Sequence, residues 1–371
     1  MKTAMIARAW RTPLGATITS AMQRMFAGER AAVTDARIGY ACTTIAPLFG
    51  EPTVTRQGRF LGRMGLFGLD VAREAFAASG LAAGPRIGVF CGVGGLRAHW
   101  DDMMAQFATQ TPSGEAMWER GLREVHPYWM LRHLSNNVHA LASAALGLRG
   151  EGAVFGGGNG GAQAIAAANR ALWAGAIDAA LVIAYDSLLE PETLVELGVR
   201  GSATTAPVAA VTSPYDRDAA GFVPGEAAAA IVLVRDATAP LAWLDVREGT
   251  DLARCMRDWG DADVVAGIGQ ARPALDHAER TLASTLVATT TPLIAPSAAI
   301  GQLGAATSLV QAIVLAEALH AGTLPPIAGL AVAADSPLVP ITTATPTRGR
   351  IGVALHTSVP SLAAAIRIEV P

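Results

Sequence analysis

The sequence predicts a layered α/β protein, and three observations carry that expectation. Short apolar runs alternate along the whole chain with stretches of helical spacing. Glycine and proline, 39 and 21 of 371 residues, stand at the boundaries between them. Hydrophobic residues make up 51% and charged residues only 16%, enough apolar surface for one large domain or two fused ones. No Pro/Ser linker and no short-period repeat divides the chain.

Residues 2–8 read as a buried strand, and T-P-L-G at 12–15 turns the chain into a short helix over 20–27 that Gly28 ends. Residues 30–62 read as irregular. Leu66, Leu69, Val71, Ala72 and Phe76 have helical spacing, which predicts a helix over 66–78 closed by Gly80. Residues 86–91 read as a strand running into G-V-G-G. A section rich in Met and Trp follows, with Trp100, Met103, Met104, Phe107, Met117, Trp118, Trp129 and Met130. Further strands are predicted at 153–155, 179–184, 227–234, 241–246, 263–268, 292–295, 350–356 and 363–368, and helices at 162–173, 274–286 and 305–320.

Between the strand at 153–155 and the helix at 162–173, five glycines and one Asn fill positions 156–161. Glycines allow close backbone approach, and the unpaired N–H groups of a helix start attract oxyanions, so such a turn usually presents a reagent. A nucleophile elbow carries Ser or Cys at its apex. Here the apex is Gly158 beside Asn159, and no Ser, Thr or Cys occurs between 152 and 185.

The net charge of −3 argues against nucleic acid or an anionic membrane as the main partner. Cys42, Cys91 and Cys255 are odd in number and far apart, which fits neither a disulfide framework nor zinc spacing and favours a reducing cytoplasm. The N-terminus carries no signal-peptide pattern. Residues 281–316 hold no charge, but Pro292, Pro296, Gly301, Gln302 and Gly304 interrupt them, so a buried strand–loop–helix is expected and not a membrane span.

Four stretches stand in a telling order: R-I-G-V-F-C-G-V-G-G from Arg86, H-P-Y-W-M-L-R-H-L-S-N-N from His126 with L-G-L-R-G after it, S-P-Y-D-R-D-A-A-G-F-V-P-G-E-A-A-A from Ser213, and the closing strands over 349–368. Together they resemble, over nearly the whole chain, the β-ketoacyl synthases of the thiolase-fold superfamily. The third is the most specific, against the family's P-F-D-x-x-R-D-G-F-V-x-G-E-G-A-G. The chain is shorter than a typical member, chiefly between Val234 and Asp263. The resemblance implies a thiolase-like fold, two similar halves (1–235 and 236–371) in α-β-α-β-α layers. Such enzymes use a Cys, two His and a Lys for decarboxylative condensation.

Carried over position by position, the resemblance gives a consistent negative. The family's T-A-C-A-S-G-A falls on 156–162, so Gly158 stands at the Cys. Its H-G-T-S-T-P-x-x-D-x-x-E falls on 268–279, so Ile268 stands at the first His while Asp276 and Glu279 are retained. Its K-S-x-x-G-H falls on 297–302, which puts Ser297 at the Lys and Gln302 at the second His. The late Phe-Gly loop falls on 357–364, without its glycines. Condensation needs a nucleophile to hold the acyl group and donors for the enolate and oxyanion. Gly158 can hold no acyl group and the Ile268 side chain donates nothing. Lys2 is the only lysine, and the seven histidines (99, 126, 133, 139, 277, 320 and 356) lie elsewhere.

The resemblance therefore implies a chain-length-factor-type subunit: the inactive partner of an active ketosynthase, on which an acyl carrier protein docks, with no cofactor or metal of its own. Such factors often carry Gln at the elbow, where this chain has Gly158. In the family the segment around Tyr128 and Trp129 lies at the dimer interface. Trp129, with Tyr128, Met130 and Met104, is expected to bound the partner's tunnel.

Other readings stay open. An acyltransferase or hydrolase on this scaffold would have to draw on Asn159, Gln302 and His356, and neither amide acts as nucleophile or base at neutral pH. Gly156, Gly158 and Gly161 satisfy G-x-G-x-x-G for a dinucleotide, although the next strand-terminal acid, Asp186, comes late. Asp216, Arg217 and Asp218 read as a capped turn. Asp276 and Glu279 share a helix face and read as caps or salt bridges. His126, His133 and His139 have no helical ligand spacing. Cys91 reads as a small buried hydrophobe.

Overall fold

The computed structural model describes residues 2–52, 54, 56, 58–95, 99–100, 127–335, 337–359 and 362–371, with backbone alone at 358–359. Among the described residues eleven strands form one sheet: β1 (Thr3–Arg11), β2 (Ile87–Val93), β3 (Ala153–Gly156), β4 (Ala179–Ser187), β5 (Glu226–Val234), β6 (Ala242–Gly249), β7 (Val264–Ala266), β8 (Pro292–Ile294), β9 (Val339–Pro340), β10 (Ile351–Val359) and β11 (Leu362–Glu369). Their order is β9-β8-β7-β10-β11-β6-β1-β5-β4-β2-β3. Among the described residues the eight main helices are α1 (Ile18–Phe26), α2 (Arg63–Ser79), α3 (Asn137–Leu146), α4 (Gly160–Trp173), α5 (Pro191–Val199), α6 (Leu252–Met256), α7 (Pro273–Ala283) and α8 (Thr307–His320).

The strand order contains the same topology twice. In the first half, β3-β2-β4-β5-β1 pair parallel, parallel, antiparallel, antiparallel. In the second, β8-β7-β10-β11-β6 repeat that pattern step for step. The halves join where β1 pairs antiparallel with β6. Three apolar clusters give the layers. Phe67, Val71 and Phe76 of α2 and Val138 of α3 cover one outer face, and Leu252 and Met256 of α6 with Ala283 of α7 cover the other. Helices α4 and α8, flanked by α1, fill the middle between the two half-sheets. The result is the α-β-α-β-α sandwich that the sequence reading expects.

Local chemistry explains most boundaries. Thr17 and Ser20 form a capping box at the start of α1, and α2 closes on Gly80 at φ 67°. Strands β4 and β5 are covered on both faces, which is why they read as continuous apolar runs without alternation. Helix α8 is buried almost all round, which accounts for the uncharged stretch through residue 316. No helix among the described residues is long and apolar enough to cross a membrane.

Two differences stand out. Helices α3, α5 and α6 were not anticipated. The segment 30–62 does hold only two-residue strands and single turns. Strand β7 stops at Ala266, short of the predicted 268: the Gly267 N–H still donates to Ile294 of β8, but the Ile268 N–H turns out of the sheet to Glu279.

Candidate functional site

Within each half the parallel strands, β2, β3 and β4 in one and β7, β8 and β10 in the other, direct their carboxyl ends the same way, and the positions singled out in the sequence follow those ends. Ile268 follows β7. Ser297 opens a one-turn helix after β8, and Gln302 lies between that turn and α8. The three meet directly. Gln302 Nε2 donates to the carbonyl of Ile268 at 2.6 Å and to that of Gly269 at 3.0 Å. Ser297 Oγ donates toward the same two oxygens at 3.2 and 3.4 Å. All three side chains are buried. Each is spent on holding the loop or filling space: the Ser297 hydroxyl and the Gln302 amide on backbone carbonyls, the Ile268 side chain on packing.

A second ring of groups holds the loop from the other side. Glu279 of α7 accepts from the Ile268 N–H at 2.6 Å and from the Tyr215 hydroxyl at 3.0 Å, and that hydroxyl in turn accepts from the Gly269 N–H. Asp276 accepts from the N–H groups of Tyr215 and Gln270. Tyr215 and Ala271 have φ of 63° and 51°, conformations that side-chain-bearing residues adopt at a cost of about 1–2 kcal/mol each. The two carboxylates over-determine them. Burial pushes the Glu279 carboxyl up to about 7, and burial also raises that of Asp276. Asp276 and Glu279 thus cap the loop's backbone, and Asp276 also bonds the backbone of Arg272 at the start of α7.

The glycine turn is exposed at Gly156 and Gly158. Gly157 has φ 98°, and its N–H donates to the Val93 carbonyl. Asn159 is buried, with Nδ2 donating to the Leu362 carbonyl at 3.1 Å. Gly161 sets the turn against the start of α8. A Cβ there would stand 2.5 Å from the Ala305 carbonyl oxygen and closer still to Ser308 Oγ, so its lack of a side chain lets α4 and α8 approach. The third glycine of G-x-G-x-x-G is accounted for by that packing.

His356, on β10, is 4% exposed, and burial pushes its imidazole down to about 3, so it stays neutral and out of solvent. Burial raises all three thiols, Cys42 to about 12 and Cys255 to about 11, and Cys91 is fully buried as expected. Asp216 caps its turn through the Asp218 N–H and also accepts from Ala331 and Val332. Among the described residues no group of three His, Cys, Asp or Glu is placed to hold a metal. His126 and Met104 lie outside the described residues.

Trp129 begins a one-turn helix, Trp129–Arg132, and is half-buried with its ring 4.7 Å from that of His133. Tyr128 packs edge-on against Phe60, and Met130 is 61% exposed. Leu131 and Leu134 are exposed beside them. Two cavities adjoin this segment, one of about 70 Å³ and one of about 580 Å³. Arg132 and His99 line both, His133 lines the smaller, and Trp129, Tyr128 and Met130 line neither.

Sequence reasoning missed three arrangements here. His99 Nδ1 stands 3.0 Å from Glu190 Oε1. Arg63 forms a bidentate pair with buried Glu226, which also accepts from Thr44 and the Ile45 N–H. Tyr215 joins Glu279, 64 residues away. Nothing in local spacing marks these pairs. The one available sign was that Tyr215 and Glu226 both fall in the S-P-Y-D…G-E segment.

The β-ketoacyl synthase, N-terminal domain family model matches residues 46–239. No curated protein matches the chain. Among solved structures, a β-ketoacyl synthase from Burkholderia phymatum STM815 superposes with TM-score 0.86 at 18% identity, covering 100% of this chain and 99% of that one. The ishigamide ketosynthase/chain length factor gives 0.84 at 17%, with the same coverage. A type II PKS acyl-carrier protein in complex with its ketosynthase bound to the hexaketide gives 0.82 at 15%, again over 100% and 99%. At these identities the likeness is one of fold, and it agrees with the doubled topology and the five layers. With the family model spanning more than half its length, the chain belongs to the β-ketoacyl synthase family.

Proposed function

We propose that this chain is a non-condensing subunit that pairs with an active ketosynthase and shapes the tunnel in which that partner extends an acyl chain. That is the role of a chain-length factor in type II polyketide, polyene or fatty-acid-like biosynthesis, with an acyl carrier protein delivering the chain. One observation carries the reading. Of the four positions where the family places its chemistry, Ile268, Ser297 and Gln302 form a buried hydrogen-bonded cluster without a reagent, and Gly158 has no side chain. Condensation needs a nucleophile and oxyanion donors, and the loop's own carbonyls occupy the donors that remain.

Pairing has its own support. Strand β3 ends the sheet with one hydrogen-bonded neighbour among the described residues, and an open edge invites a further strand. The exposed Tyr128, Met130, Leu131 and Leu134 add apolar surface suited to a protein partner. We take the two topological repeats, 1–235 and 236–371, as the halves of this scaffold.

Co-expression with an active ketosynthase followed by size-exclusion chromatography should give a tight 1:1 pair. The isolated chain should be inert toward malonyl and acyl thioesters. A stable acyl adduct on this chain by mass spectrometry would instead make it an acyltransferase or hydrolase. Trp129→Ala in the reconstituted pair should shift the product-length distribution, and an unchanged distribution removes Trp129 from the tunnel.

A further inference from the structure

Behind the glycine turn lies a set of buried polar atoms that takes no part in the cluster around Gln302. Ser308 and Gln311 of α8 are each 1% exposed and His356 of β10 is 4% exposed. Ser308 Oγ, Gln311 Oε1 and His356 Nε2 have no hydrogen-bond partner among the described residues. Such atoms are scattered singly elsewhere in the interior, but three in one place ask for a ligand.

The fold brings the three together. Ser308 and Gln311 are three residues apart on α8 and share a face. Gln311 Nε2 donates to the Gly267 carbonyl at 3.0 Å, which sets its amide against the end of β7. Strands β7 and β10 pair in parallel with Ala266 opposite Ala354, so the same register carries His356 to the level of Ile268. Alternation puts His356 on the face of Ala354, which belongs to the apolar cluster that α8 fills. Further back along β10, a Cβ on Gly352 would meet the Leu315 side chain of α8. The helix therefore runs opposite to the strand. Seven helical residues from Leu315 to Ser308 rise about 10 Å, and four strand residues from Gly352 to His356 advance about 13 Å. Both paths lead to one spot. Gly161 of α4 closes it from above, pressed against Ser308.

We infer that Ser308, Gln311 and His356 bind one ordered water molecule, which ties α8 to β10 beneath the glycine turn. Three protein partners is the usual number for a buried water. The chemistry matches a small neutral ligand: the Gln311 oxygen accepts, the Ser308 hydroxyl does either, and a neutral imidazole nitrogen completes the set. Burial keeps that imidazole uncharged. With every group at most 4% exposed, a ligand with a tail has no way to extend outward. The site does not depend on the function proposed above.

The test pairs crystallography with one small substitution. A structure of the chain, alone or with its partner, refined to a resolution that shows waters, should place a peak within hydrogen-bond reach of all three atoms. Ser308→Ala should lower Tm by about 1–5 °C, because a water that loses one of three partners is held less well. Absence of the peak overturns the inference. So does a Ser308→Ala variant with unchanged or raised Tm, the response of a hydroxyl that had nothing to bind. An anomalous peak there after a rubidium soak would mean a monovalent cation, and also overturns it.

Discussion

Gln302→Leu is the most direct probe of the cluster around the loop, because it removes both donors from the loop while keeping most of the side-chain volume. The amide reaches the Ile268 and Gly269 carbonyls at 2.6 and 3.0 Å. The Ser297 hydroxyl, 3.2 and 3.4 Å from the same oxygens, has one proton and can satisfy only one of them. One buried carbonyl is then left unpaired, at a cost of about 1–3 kcal/mol. The backbone of Gln302 keeps its bonds to Val223 and Gly225, so the loss stays local. In a chain of this length the midpoint should fall by roughly 1–6 °C, read by thermal scanning and checked by urea titration. Ser297→Ala alone should cost less, since Gln302 still serves both oxygens. The double variant should lose more than the sum, by about 0.5–2 kcal/mol, because neither donor can then cover for the other. Additive losses, or a Gln302→Leu protein within about 0.5 kcal/mol of the parent, would refute the claim that these residues hold the loop.

The Glu279 carboxyl keeps its proton to about pH 7 when folded but only to about 4.5 in the reference state, so folding takes up a proton between those values. Stability should fall as pH rises through that window and level off above it, and Glu279→Gln should flatten that part of a pH series of urea midpoints. Gly161→Ala should destabilise: the about 1 kcal/mol gained in helix propensity is outweighed by forcing α4 from α8, and a more stable variant by urea titration would contradict the packing described. Gly158→Cys should give a thiol that iodoacetamide alkylates yet no malonyl turnover, since Ile268, Ser297 and Gln302 remain; measurable condensation would show that the nucleophile alone was missing.

Much of the scaffold is legible in one dimension. The strands and helices follow from runs and periodicities that a single turn or strand imposes on its own residues, and Gly80 and Thr17 end or begin helices through bonds within a few positions. The candidate site was reached differently. Gly158, Ile268, Ser297 and Gln302 were located by resemblance to a family pattern, and nothing in their spacing said that three of them would touch. The pairing of Tyr215 with Glu279, or of Arg63 with Glu226, spans 64 and 163 residues and leaves no local periodic trace.

By itself, then, the sequence determined most of the strands and the longest helices, because propensity and periodicity are properties of short segments. The tertiary structure alone decided how the strands of the two halves pair, that the Gln302 amide turns inward to bond carbonyls of a loop more than 30 residues earlier, and that Gly161 is needed where two helices cross. Those outcomes depend on which distant surfaces meet, and a buried polar group settles its orientation only when its partners arrive from elsewhere in the fold.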